Sequence, residues 1–403
     1  MNYPAARRAE LDWLRVLALF MLMIFHSVMG YSAWPWHVND PHDSWLLNGI
    51  LDFMLRWRVS LVFIVSGSAL MLALDRRRPK AILRERCERL LVPLVFGMLV
   101  IVPPQIYLDR LQHGKFHGSF LDYLPQAYVG IYPEGNLTWN HLWFLPYVLT
   151  LTAVIMPIFL WARSPRVRYR MERAMRAIAD GHLYWLLVFP LAVAQFMMLR
   201  QGNEDHTFIG DGHGWIEFGF LFLLGGAIAR WPMVLASIQR ERYVALIVGI
   251  VAYSALRKEW PADPTSVLGV IGWCNISGIN VLAWVLAFTG FLTKWFTRGS
   301  PALTYLTEAA MPVYVLHQTL IILAVYHLHH VDLPVAAKIF ITFSFAILTA
   351  FVLYELAIRR SQWLRILFGV KPRAKAIGPE NLVPEVLDGD AVSVTSRLPG
   401  RSS

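Results

Sequence analysis

Charge is scarce in this sequence. Only 16% of its 403 residues are Asp, Glu, Lys or Arg, against 56% hydrophobic residues. Soluble domains carry about a quarter charged residues, so a water-soluble enzyme is excluded and a membrane protein expected. Cysteine is scarcer still. The two present, Cys87 and Cys274, sit in or beside apolar runs, and no Cys-x-x-Cys occurs. That rules out a disulfide framework and a thiolate metal site. Nor is there a small-x-small cleavage site after the first apolar run, where "SVMGYSAWPW" follows, so the first span is expected to stay uncleaved. No repeat of solenoid length is visible.

What the chain does have is apolar runs of spanning length. About ten are expected, at roughly 12–31, 50–74, 90–107, 142–161, 183–199, 215–231, 243–257, 275–296, 309–328 and 334–358. The fold class that follows is an all-α integral membrane protein, a bundle of about ten transmembrane helices occupying residues 1–370. The tail from 371 to 403 lacks apolar periodicity and reads as disordered. An even number of spans puts both termini on one side. Most of the 37 Lys and Arg fall in the N-terminus, in "DRRRPKAILRERCER", in "RSPRVRYRMERAMR" and in the other segments on that same side. By the positive-inside rule that side is cytoplasmic. The net charge of +10 is therefore mostly topological, with some attraction to anionic lipid, and does not indicate nucleic acid.

Within the apolar runs, ionisable residues stand out. Arg15 and His26 share the first run, "LDWLRVLALFMLMIFH". Eleven helical steps rise about 16.5 Å and return to within roughly 20° of the starting direction, so both project from one face at opposite ends of the span. Arg58 lies deep in the second run and needs an anionic partner, from the protein or from a ligand. Asp52, six residues earlier, points elsewhere. Arg84, Arg86 and Arg89 cluster in "RERCERLLVP". Arg86 and Arg89 are helix neighbours that suit a polyphosphate, although Glu85 and Glu88 are close enough to satisfy part of the cluster. His141 opens the fourth run and His317 sits within the ninth, next to Gln318. Glu355 and Arg359 have the i, i+4 spacing of a structural pair.

Other patterns carry less. "HLHH" at 327–330 with Asp332 lacks the His-x-x-x-His spacing of a helical metal site, and none is expected. "SGS" at 66–68 lacks the strand-turn-helix context of a nucleophile elbow and reads as a close-packing patch. Trp34, Trp36 and Trp45 suit sugar stacking or an interfacial aromatic belt.

These residues occur in an order that resembles a known family. "LDWLRVLALFMLMIFH" carries the Arg-x10-His signature of the acyltransferase-3 superfamily, and "RCER" its Arg-x-x-Arg motif. "YSAWPWHVND", "NHLWFL", "YVLHQT" and "LYELAIRRSQWLRILFGVKP" resemble the glucan biosynthesis protein C group within it, over residues 11 to 372. The resemblance implies a bacterial inner-membrane enzyme that moves an acyl group from cytoplasmic acyl-coenzyme A to hydroxyls of an extracytoplasmic glycan. Succinyl is the favoured group, acetyl the other, and a periplasmic glucan the implied acceptor. Acyl-coenzyme A is a co-substrate, with no permanently bound cofactor and no metal. Carried over by position, Arg15 and His26 take the paired motif and Arg86 with Arg89 the arginine motif. His141 and His317 fall at its two other histidines. The implied roles are catalysis for His26, His317 and His141, and donor binding for Arg15, Arg86, Arg89 and Arg58. A transporter or flippase that forms no bond, and a covalent acyl relay, remain as alternatives.

Overall fold

The computed structural model of the chain describes residues 8–42, 44–201, 208–258 and 266–372, together with two short strands in the tail. Up to Val370 the chain is one helical unit. It runs α1 (Ala9–Met29), α2 (Trp45–Leu55), α3 (Arg58–Leu74), α4 (Pro79–Phe96), α5 (Pro103–Gln112), the single turn α6 (Phe120–Tyr123), α7 (Phe144–Arg163) and α8 (Pro165–Asp180). Then come α9 (Val188–Gln201), α10 (Gly212–Arg230), α11 (Pro232–Arg257), α12 (Val267–Trp295), α13 (Pro301–Leu328), α14 (Val335–Leu353) and α15 (Gln362–Leu367). The tail unit contains Pro384–Glu385 paired antiparallel with Ser393–Val394. The expectation of disorder for the rest of the tail falls outside the described residues.

Each of the ten expected runs is helical, but not all are equally fit to span. Among the described residues eight helices are long and apolar enough to cross a membrane: α1, α2 with α3, α4 with α5, Asn140 through α7, α10, α12, α13, and α14 with its extension to Ile358. α8 with the segment from Tyr184 through α9 would make a ninth only as one span bent by 95°. α11 is long, but Arg240, Glu241 and Arg242 interrupt it and leave Tyr243–Leu256 as its apolar run. The outer faces carry large exposed apolar side chains such as Val154, Val251, Phe340 and Leu348, as contact with lipid requires.

The second run is not continuous. α2 stops at Leu55 and α3 begins at Arg58, with Arg56 and Trp57 between them. Neither Gly nor Pro marks this break. Trp57 is almost fully buried and stacks on Phe288 with ring centroids 4.0 Å apart, so packing against α12 sets the bend. A second interruption lies between α4 and α5, where a π-helical turn, Gly97–Ile101, meets Pro103 and Pro104. Proline lacks the N–H that would serve the carbonyl four residues back. The Leu99 carbonyl instead accepts from Tyr128 Oη at 2.8 Å, and the Ile101 carbonyl from Thr319 Oγ1 at 2.8 Å. The break thus ties α5 to α13.

α3 and α10 pack backbone to backbone. A Cβ added at Gly67 would lie 1.9 Å from the Phe222 carbonyl oxygen, and one at Gly225 would lie 2.0 Å from that of Ile64. Ser68 Oγ donates to the Gly225 carbonyl at 2.7 Å. "SGS" is therefore the expected close-packing patch, since small residues let helices approach where lipid offers no hydrophobic drive. Gly67→Ala should force the helices apart and cost about 1–3 kcal/mol, the usual penalty of overpacking. Thermal unfolding in detergent checks this, and an unchanged melting temperature would refute it.

Candidate active site

α1 and α13 cross where each carries a histidine. His26 Nδ1 lies 3.0 Å from His317 Nε2, and His317 Nδ1 lies 2.5 Å from the Tyr314 carbonyl oxygen. A carbonyl can only accept, so His317 Nδ1 carries its hydrogen. With both rings neutral, His317 Nε2 accepts and His26 Nδ1 donates. That leaves His26 Nε2 with a lone pair, and no protein group among the described residues bonds to it. His26 is only half-buried, and Trp36 covers its ring at 5.9 Å and 4° from parallel.

His141 sits beside this pair in a different role. It lies in a 3-10 turn, Asn140–Trp143, that leads into α7. Its Nε2 donates to the Val315 carbonyl at 3.0 Å, and its Nδ1 faces Gln105 Nε2 at 3.5 Å. Both nitrogens are therefore engaged. The ring stands edge-on to His317 at 5.1 Å and braces the turn of α13 that holds it.

A carboxamide network surrounds the three rings, and sequence reasoning missed most of it. Gln105 Oε1 accepts from Asn140 Nδ2 at 2.8 Å and from Gln318 Nε2 at 3.3 Å. Gln105 Nε2 donates to Thr319 Oγ1 at 2.6 Å. Asn140 Oδ1 accepts from Gln318 Nε2 at 2.9 Å and from His37 Nε2 at 3.1 Å. Asn140 has φ +44°, a left-handed conformation that asparagine tolerates better than most residues. Asn140 and Gln318 adjoin histidines already singled out, which was a usable signal. Gln105 follows two prolines and gave none. Also missed was Glu217 in α10, a buried carboxylate that accepts from Ser60 at 2.8 Å and Gln195 at 3.1 Å and faces His213 at 3.1 Å. A carboxylate inside an apolar run was legible as a polar site.

Arg58, at the start of α3, is 7% exposed and lies over the Phe25 ring at 3.4 Å. Its Nε and Nη1 have no hydrogen-bond partner, and no carboxylate among the described residues lies within ion-pair distance. Asp52 is bonded at 2.5 Å to Arg257. Of the two kinds of partner the sequence leaves open to Arg58, the described residues therefore do not supply the protein carboxylate. The cation–π contact offsets only part of the burial.

At the other end of α1 the arginines divide. Arg84 turns outward to Glu88 at 2.9 Å. Arg89 donates from Nε to the Gly369 carbonyl at 2.9 Å and lies 3.6 Å from Glu85. Gly369 has φ +68°, and a Cβ there would meet the Arg89 carbonyl oxygen at 2.6 Å, so glycine is required for the contact. Arg86 makes no ion pair among the described residues. Arg15 and Arg89 lie close enough to repel it, and attraction to Glu85 offsets part of that. Glu355 and Arg359 pair at 2.9 Å, as their spacing implied. His329 of "HLHH" donates to the Tyr326 carbonyl at 2.6 Å. Among the described residues no group of His, Cys, Asp and Glu is placed to hold a metal.

Against known proteins, a family model described as an acyltransferase domain matches residues 8–355. Curated relatives named "Glucans biosynthesis protein C" also match. That of Salmonella heidelberg is 29% identical over 191 residues, covering 46% of this chain and 48% of the relative. That of Salmonella paratyphi B is 31% identical over 164 residues, covering 40% and 41% respectively. The chain thus spans about half the length of the curated relatives it matches. No solved structure matches.

The histidine tautomers are open to a direct check. Diethyl pyrocarbonate acylates unprotonated, accessible imidazole nitrogens. It should modify His26 and spare His141 and His317, as read by peptide mass mapping. Equal modification of all three would show that the chain of hydrogen bonds does not hold in solution.

Proposed function

The chain belongs to the acyltransferase-3 family, and on that premise we propose that it is a membrane O-acyltransferase. In this reading it moves an acyl group from cytoplasmic acyl-coenzyme A to a hydroxyl of a glycan outside the cytoplasm, a periplasmic glucan by analogy with the relatives' name. The observation that carries the reading is the chain from the Tyr314 carbonyl through His317 to His26, which leaves an unprotonated Nε2 at the C-terminal end of α1.

The chemistry balances on these residues. His26 Nε2 takes the proton from a sugar hydroxyl as its oxygen attacks the thioester carbonyl. The C–S bond breaks, the acyl group stays on the sugar oxygen, and the coenzyme thiolate recovers the proton from His26. His317 fixes the tautomer and shares the positive charge formed on the pair. His141 holds His317 in place, and so acts as a positioning residue. The donor's phosphates lie on Arg15 and Arg86, neighbouring cations at the cytoplasmic mouth, with Arg89 anchoring the site to Gly369. The pantetheine arm follows α1 over the ~16.5 Å rise to His26.

Succinyl is the favoured acyl group, because Arg58 offers a buried guanidinium beside His26 with two nitrogens unbonded. α9 and α11 complete ten spans in the bacterial inner membrane with both termini cytoplasmic. No metal and no resident cofactor take part.

Arg15→Ala and Arg86→Ala should weaken donor binding roughly 10- to 150-fold, the value of a charged hydrogen bond, with partial rescue at high acyl-coenzyme A. His26→Gln should leave donor affinity intact while transfer falls about 10²- to 10⁴-fold. Calorimetry in detergent beside turnover separates the two, and near-normal turnover by a folded His26→Gln enzyme would place the base elsewhere. For acyl choice, Arg58→Gln should lower kcat/KM for succinyl-coenzyme A about tenfold or more relative to acetyl-coenzyme A. An unchanged ratio would sink the role given to Arg58. For orientation, a cysteine at position 168 should resist an impermeant thiol reagent in intact cells, and its ready labelling would invert the topology.

A further inference from the structure

Outside the histidine site, the end of α5 and the segment leading to the turn at Asn140 form an open-mouthed cavity of about 420 Å³. Its lining includes Arg110, Phe116, Tyr123, Gln126, Glu134 and Asn136. This volume falls in the range of ligand pockets, about 300–1,000 Å³.

The cavity is built rather than incidental. Tyr123 ends α6, a single turn closed by a capping box in which Ser119 and Asp122 bond reciprocally. Its ring packs between Tyr107 at 5.6 Å and Phe116 at 5.5 Å. The side chain is 1% exposed, yet its hydroxyl has no hydrogen-bond partner. Buried hydroxyls are normally partnered, so the orphaned hydroxyl of this lining residue is a bond left for an occupant to complete. Burial also pushes the Tyr123 phenol up to about 12, which keeps it a neutral donor at any physiological pH.

The wall's charges argue against an anion. Arg110 donates from Nε to Asn136 Oδ1 at 3.0 Å and from Nη2 to the Pro133 carbonyl at 2.8 Å and the Gly135 carbonyl at 2.6 Å, while its Nη1 lies 3.9 Å from Asp109. It frames the wall and has little left for a phosphate. Lys115, the other cation of the lining, shares it with Glu134. Asn136 is engaged at both ends, by Arg110 and by the Gln126 carbonyl, so what remains is one ammonium balanced by one carboxylate, a phenol, the Gln126 carboxamide and aromatic faces. That mixture suits a neutral polyhydroxylated ligand with apolar C–H faces, a saccharide.

A row of rings leads from this cavity to His26. The Arg110 guanidinium lies 5.4 Å from the Tyr132 ring, and Tyr132 meets His37 at 5.7 Å. His37 meets Trp36 at 6.2 Å, and Trp36 covers His26 at 5.9 Å. Tyr132, His37 and Trp36 are each half-buried, so the row presents edges and faces along its length. Gln112 Nε2 donates to the Asn39 carbonyl at 2.6 Å and clips the end of α5 to the loop after α1.

We propose that this cavity is a remote subsite for the glycan acceptor, and that the ring row carries the bound saccharide from Tyr123 to the base at His26. The proposal rests on the glycan-acceptor reading but not on the identity of the donor. A remote subsite lets a long acceptor gain affinity from units that do not react.

The test uses the full chain in detergent and laminaripentaose as the probe, titrated by calorimetry without any acyl donor. Wild type should bind saturably. Tyr123→Phe keeps the packing and removes only the hydroxyl, and should weaken binding about 2- to 12-fold. Gln126→Trp should fill the cavity and abolish binding while the melting temperature stays within the wild-type range. Wild-type affinity in both variants, or no saturable binding by wild type at millimolar probe, overturns the subsite. The two readings fail separately. A protein that binds the oligosaccharide in this pattern but never consumes acyl-coenzyme A keeps the subsite and loses the transferase. One that transfers with unchanged acceptor KM in both variants keeps the transferase and loses the subsite.

Discussion

The bond between His26 on α1 and His317 on α13 is the contact on which the rest of the site depends. It exists only if His317 Nδ1 is already committed to the Tyr314 carbonyl, and that turn of α13 is braced by His141 through the Val315 carbonyl. His141 in turn follows Asn140, whose amide closes on Gln105 and Gln318. Gln105 is placed by the proline break between α4 and α5, where Thr319 serves the carbonyl that the helix leaves open. In a bilayer interior each unsatisfied polar group costs several kcal/mol, so the network is held together by the absence of water as much as by its own bonds.

The same physics makes the exceptions informative. Glu217 is buried and fully engaged by Ser60, Gln195 and His213. Lys338 is buried and paired with Asp40 at 2.5 Å, which pins the loop after α1 to α14. Arg58 is buried to the same degree with no carboxylate among the described residues to neutralise it, and Arg86 faces other arginines. Tyr123, in the lining of a cavity, holds a buried hydroxyl without a partner. These last three groups are spread over one mouth of the bundle, its depth and the loops beyond the far end of α5. In the proposed reaction, a donor head, its acyl group and an acceptor would meet the chain in that order.

Much of this is legible in local sequence. Helix periodicity alone places Arg15 and His26 on one face of α1, because eleven steps close on three turns. The depth of Arg58 follows from its position within an apolar run, and the packing role of "SGS" from its small side chains. Other features were hidden for physical reasons. The break at Arg56–Trp57 comes from Trp57 packing on Phe288, a residue far along the chain, and has no local signal. Arg84, Arg86 and Arg89 look alike in sequence. Their separation into a solvated pair, a cation among cations and an anchor depends on where Glu88, Arg15 and Gly369 lie.

The sequence by itself determined that the chain is a helical membrane protein and where along its apolar runs the ionisable residues fall, since both follow from local hydropathy and the fixed rise of a helix. Only the tertiary structure decided which histidine carries a free lone pair, because a tautomer is set by what the other nitrogen touches. Only it could show that Arg58 lacks a carboxylate among the described residues and that the buried Tyr123 hydroxyl has no partner. Absence of a partner is a property of three-dimensional surroundings, and no local pattern encodes it.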